Sequence, residues 1–192
     1  MAMALVHYPV LDRRGDRVSA ALTNLDLHDL ARLATTYGLA RFYLVIPAVE
    51  QQTLARRILG HWQQGFGASY NADRSQALSA VAIVDGLEEA EADWRGLNGV
   101  ESRTVLTGAG QVDGLDVPTL QSWAGRLPLL LVFGTGHGLA PELYTADRLV
   151  MRAIRGGGYN HLSVRTAAAI TVDRLLGDSG RPEQPSSPSA TA

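Results

Sequence analysis

Along this chain, short apolar runs bounded by turn residues alternate with segments whose apolar positions recur every three or four residues. Ala4 to Pro9 reads as a first strand and Asp12-Arg13-Arg14-Gly15-Asp16 as a turn. Val18 to Leu22 reads as a second strand or an approach to a helix. Thr23 or Asn24 can cap a helix that carries Leu27, Leu30, Ala31, Ala34 and Tyr37 on one face, and Gly38 suits its C′ position. Arg41 to Ile46 predicts a buried strand stopped by Pro47. Val49 to Trp62 predicts an amphipathic helix broken at Gly65-Phe66-Gly67. Beyond it, Val81 to Asp85, Arg103 to Thr107, Leu129 to Phe133 and Arg148 to Ala153 read as strands. Leu87 to Trp94, Val117 to Gly125 and His161 to Leu176 read as helices. This alternation predicts an α/β fold with a mainly parallel sheet flanked by helices. A single domain over residues 1–176 is expected, followed by a proline- and serine-rich tail over 177–192 with no packed structure.

Composition narrows the chemistry. The 192 residues are 46% apolar and 19% charged, as expected of a globular domain with a sizeable core. Cysteine is absent, which excludes disulfides, thiolate metal sites and cysteine nucleophiles. No apolar run reaches the roughly 18 residues that cross a bilayer, and the first ten residues lack the pattern of a signal peptide, so a cytoplasmic protein is expected. The net charge of −2 gives no global basic field for nucleic acid, although all 17 cationic side chains are arginine. The five histidines show no metal-ligand spacing, and no metal is expected.

Two glycine-dense loops stand at the edges of buried segments. The apolar run Leu129 to Phe133 ends in Gly134-Thr135-Gly136-His137-Gly138-Leu139, and Ile154-Arg155-Gly156-Gly157-Gly158 precedes the last helix. Main chain in such loops can approach a small molecule closely. A nicotinamide fingerprint is not met, because the third glycine would fall on Leu139 and no acidic residue sits about 20 positions on. Phe133, Gly134, Thr135, Gly136 and Gly138 are therefore candidates for one wall of a ligand pocket, with Thr107 and Gly108 for another. Ile154, Gly156, Leu162 and Val164 are candidates for a third, packing around a flat ring, although as core residues they would look the same.

Three segments in order carry a resemblance: Thr23-Asn24 through Arg32 to Tyr37-Gly38, Leu130 to Leu139, and Ile154 to Ile170. Together they resemble the SPOUT class of S-adenosylmethionine-dependent RNA methyltransferases over residues 4 to about 176, closest to a small bacterial subfamily. The resemblance implies a deep C-terminal trefoil knot whose crossing strands form the cofactor pocket, a homodimer, and S-adenosylmethionine as cofactor. It also implies methylation of tRNA or rRNA at a base nitrogen or a ribose 2′-hydroxyl.

The resemblance further places Arg32, Asn160 and Arg165 at the catalytic side, Ser163 with the cofactor, and Asn24 and Arg155 with RNA. Arg32 otherwise suits a surface ion pair with Asp29. Asp26 and Asp29 suit the positive end of a helix, with proton transfer as the lesser alternative. Where ribose-methylating relatives carry an Asn-Glu pair, this chain has Thr135-Gly136. That departure keeps open the alternative of a knotted module that binds S-adenosylmethionine or RNA without chemistry.

Overall fold

The computed structural model describes residues 1–155 and 158–177, so Gly156 and nearly all of the expected tail lie outside the described residues. Six parallel strands form one sheet: β1 (Ala2–Val6), β4 (Arg41–Val45), β5 (Val81–Val84), β6 (Arg103–Leu106), β7 (Leu129–Gly134) and β8 (Leu149–Val150). Their spatial order is β5-β4-β1-β7-β6-β8. Two short strands, β2 (Val10–Leu11) and β3 (Arg17–Val18), make a separate antiparallel hairpin around the Asp12–Asp16 turn.

Helices cover both faces of the sheet. One face packs on α1 (Asn24–Thr36), α2 (Val49–Gln63), α4 (Ala72–Ser79), α6 (Val117–Trp123) and α7 (Val164–Leu176). The other packs on α5 (Leu87–Asn98) and on Leu139 and Leu143. Burial on both sides explains why β1 is apolar throughout rather than alternating, since none of its residues is exposed. β1 lies between β4 and β7, and Val6 is in register with both Val45 and Gly134. The chain thus winds outward in opposite directions from β1 and β7, and the crevice beyond their carboxyl ends is where open α/β sheets bind ligands.

Several boundaries differ from the sequence reading. β1 runs from Ala2 to Val6 rather than from Ala4 to Pro9; Pro9 has no amide to give a ladder. β8 stops at Val150, because the chain turns there to bond the 111–115 loop. α5 continues to Asn98 and closes on Gly99. Two helices were not anticipated, α3 (Phe66–Tyr70) and α4, which is capped by Asn71 accepting from the Arg74 amide. The last helix begins at Val164 instead of His161. Ser163 accepts from the Thr166 amide at 3.2 Å and satisfies a helix donor that would otherwise be orphaned. Replacing Ser163 with Ala is expected to lower stability by about 1 kcal/mol, read as a lower urea midpoint at unchanged slope.

Candidate functional site

A cavity of about 710 Å³ opens beyond the carboxyl ends of β6 and β7. Its walls come from four stretches: 107–110, 133–138, 151–154 and 160–164. Ala20, Ala21, Thr23 and Asp26 close a fifth side from the start of α1. The size falls within the range of small-molecule sites.

The glycine loop after β7 has a definite structural logic. A Cβ on Gly134 would stand 2.7 Å from the Leu139 amide nitrogen, and one on Gly136, where φ is +60°, 2.7 Å from the Leu11 carbonyl oxygen. The loop is stitched to β2, with His137 donating to the Leu11 carbonyl at 2.8 Å and Leu11 donating to the Gly138 carbonyl at 2.9 Å. These two glycines therefore admit main chain against main chain, which shapes the wall before any ligand arrives. The Thr135 hydroxyl donates to the Val6 carbonyl at 3.0 Å, and the Thr107 hydroxyl to the Val132 carbonyl at 2.9 Å. Both side chains tie down strand ends.

Phe133, Met151, Ile154, Leu162 and Val164 supply apolar surface to the cavity. Asn160 also lines it, and its amide nitrogen donates to the Ala109 carbonyl at 2.9 Å and to the Arg155 carbonyl at 3.0 Å, joining two walls. Thus the structure brings together Thr107, Gly108, Phe133, Gly134, Thr135, Gly136, Gly138, Ile154, Asn160, Leu162, Ser163 and Val164, while Gly156 lies outside the described residues.

Four residues singled out from the sequence stand apart from that lining. Arg165 bridges α7 to α1, with its Nε 3.2 Å from Asp26 and its Nη1 2.7 Å from Asp29. Asp29 is therefore paired with Arg165 rather than with Arg32, the alternative their spacing allowed. Arg32 is exposed on α1, and Arg155 is exposed beside the mouth. Asn24 is the first residue of α1, whose cap is Thr23; it lines a separate groove with residues of α2.

Two residues gain importance in three dimensions. Asp26 is the one carboxylate lining the cavity among the described residues, and its Oδ2 accepts from the Thr23 hydroxyl at 2.6 Å. His7, fully buried just past β1, has its imidazole pKa pushed down by burial, against the opposing pull of Asp26 and the Ala20 backbone. Among the described residues, no group of three or more potential ligands could hold a metal. No described helix is long and apolar enough to cross a membrane.

Comparison with known proteins follows the same lines. The model of a family described as SAM-dependent RNA methyltransferase matches residues 1–177. The chain is 43% identical over 176 residues to a tRNA (guanine-N(1)-)-methyltransferase of Oleidesulfovibrio alaskensis, covering 91% of this chain and 41% of that protein. It spans less than half the length of the first curated relatives it matches. Among solved structures, TrmJ from Z. mobilis ZM4 superposes with a TM-score of 0.58 at 16% identity, over 91% of this chain and 67% of that one. The SpoU methyltransferase AviRb from Streptomyces viridochromogenes, solved in complex with AdoMet, superposes at 0.56 and 13% identity, over 92% and 59%. At these identities the superpositions show a common fold.

Proposed function

We propose, from the premise that this chain belongs to the family of SAM-dependent RNA methyltransferases, that it transfers a methyl group from S-adenosylmethionine to RNA. The observation that carries this reading is the cavity of about 710 Å³ beyond the carboxyl ends of β6 and β7, walled by main-chain turns and apolar side chains. That donor set fits an adenosyl group, which needs flat apolar surface and close main-chain approach. Bound there, S-adenosylmethionine supplies a methyl already activated on a sulfonium. Phe133, Ile154, Leu162 and Val164 pack the ring and exclude water, while the 134–138 turn and the Thr107-Gly108 end fix its orientation. Holding reactants in line contributes roughly 7–11 kcal/mol to such a reaction.

The acceptor is a base nitrogen or a ribose hydroxyl of tRNA or rRNA; the tRNA (guanine-N(1)-)-methyltransferase relatives favour tRNA. Asp26, facing the cavity, is placed to take up the proton the acceptor releases, and general bases in such positions contribute about 10²–10⁴-fold. Arg165 positions that carboxylate through its ion pair. Asn160 orients the acceptor, and Arg32, Arg155 and Asn24 contact RNA around the mouth.

Residues 1–176 act as one cytoplasmic domain, a homodimer with a knotted C-terminal segment. Supporting the knot, residues after β8 lace onto the end of β6 and the loop that follows it: Met151 donates to Leu106, Arg152 to Leu115 and Ala153 to Gln111, at 2.9, 2.9 and 2.7 Å. The reading is tested by incubating the protein with methyl-labelled S-adenosylmethionine and RNA from a strain lacking the gene. One labelled nucleoside is expected by mass spectrometry; cofactor binding with no label in any RNA would favour the non-catalytic module.

A further inference from the structure

A second groove has a volume of about 420 Å³. Thr23 lines the reaction cavity, and its neighbour Asn24 lines this groove together with Leu54, Arg57, Ile58, His61 and Trp62. Beyond Trp62 the surface continues as aromatic and cationic. The Arg74 guanidinium lies 4.5 Å from the Trp62 ring centre, and His61 stands edge-on to the same ring at 5.0 Å. Phe66 and Tyr70 then form a stacked pair, with centroids 5.7 Å apart and planes 26° from parallel, each 74% exposed. Large aromatic rings held in register in water, next to a groove, mark a binding surface rather than a core.

We propose that this face is the track for single-stranded RNA flanking the target nucleotide, with bases stacking on Phe66 and Tyr70 and phosphates meeting Arg57 and Arg74. The proposal rests on the RNA methyltransferase reading and adds the path of the substrate. Charge decides between RNA and a second copy of this chain. α2 and α4 carry Arg56, Arg57 and Arg74 against Glu50 and Asp73. On the opposite face, α5 carries Glu88, Glu89, Glu91 and Asp93 against Arg95, with Arg148 pairing Glu88 and Glu91. On a chain of net charge −2, α2 and α4 thus carry one net positive charge beside the exposed aromatics. Stacking platforms set among cations are what sequence-tolerant single-strand binding uses, since every base has a π face. A homophilic apolar interface would instead be depleted of charge at its centre.

The test uses the full chain and a fluorescent single-stranded oligoadenylate RNA. Changing both Phe66→Ser and Tyr70→Ser is expected to weaken oligoadenylate binding by about fivefold to a hundredfold per base unstacked. Arg57→Ala is expected to lower the slope of log affinity against log salt by about 0.7, one single-strand phosphate contact. Both variants keep their affinity for S-adenosylmethionine by calorimetry, because neither touches the cavity. Unchanged oligoadenylate affinity overturns the track, and if light scattering then shows the Phe66/Tyr70 variant losing mass, the face joins two copies of this chain. RNA binding that the variants abolish, in a protein that methylates no RNA, instead defeats the methyltransferase reading and leaves the track standing.

Discussion

Gly134→Val is expected to abolish S-adenosylmethionine binding in calorimetry, with an affinity loss of at least about a hundredfold, or roughly 2.7 kcal/mol. The reason is the geometry of the loop itself. The first added carbon already falls 2.7 Å from the Leu139 amide nitrogen and 3.0 Å from the Gly138 carbonyl carbon. Those are backbone atoms, and the loop holding them is bonded to β2 by His137 and Leu11. It must therefore open, and with it the wall that runs from Phe133 to Gly138. The sheet beneath is formed by buried strands, so the far-ultraviolet spectrum is expected to stay that of the parent. Unchanged affinity in a folded variant would move the cofactor elsewhere on the molecule.

Arg148→Met is expected to cost about 3–5 kcal/mol of stability, read by urea denaturation at neutral pH. Arg148 has only 5% of its side chain exposed and grips Glu91 through two bonds, Nε to Oε1 at 2.9 Å and Nη2 to Oε2 at 2.8 Å. The same Nη2 meets Glu88 at 2.9 Å, and Nη1 donates to the Leu143 carbonyl at 3.1 Å. The guanidinium therefore joins α5 to the segment that leads into β8 and on to the cavity wall at Met151–Ile154. Removing it strands Glu91, whose side chain is 14% exposed, in a poorly solvated place without its counter-charge.

A pH dependence follows from the same cluster. The hydrogen bond from Arg148 holds the Glu88 carboxyl below its usual pKa, and Arg148 itself is pushed further above its already high value, chiefly by Glu91. For a carboxylate depressed on folding, the stabilisation is fully present above the unfolded pKa, about 4.3, and is lost as pH falls through the lower folded value. The parent should thus lose stability in that acid window, and Arg148→Met should lose less of its own there. Equal acid slopes in the two proteins would remove Arg148 as the cause.

The strand-helix alternation was legible because buried parallel strands and one-sided helices leave different periods in a sequence. The helices at Phe66–Tyr70 and Ala72–Ser79 were not, since five and eight residues are too few for a helical period to show. The Asn71 cap was the available signal. For the site, the glycine turns after β6 and β7 could be read directly, and they do line one cavity. Asp26 could be read only as the lesser of two alternatives, because an acidic residue in a first helical turn is what the helix dipole favours on its own. Its separate meaning comes from Arg165, which reaches it from the far end of the chain. Arg165, expected at the acceptor, bonds Asp26 and Asp29.

The order of secondary structure, the turns that end each strand and the family to which they point were set by local sequence. Glycine, proline and capping residues act over a few positions, and their effects survive in any reading of the chain. What the tertiary structure decided was adjacency. Only folding puts Val6 beside Gly134, laces Ala153 onto Gln111, and lets one arginine of the last helix hold two aspartates of the first. Pairings so distant are chosen by how two buried faces pack together, and no periodicity along the chain records which strand will lie next to which.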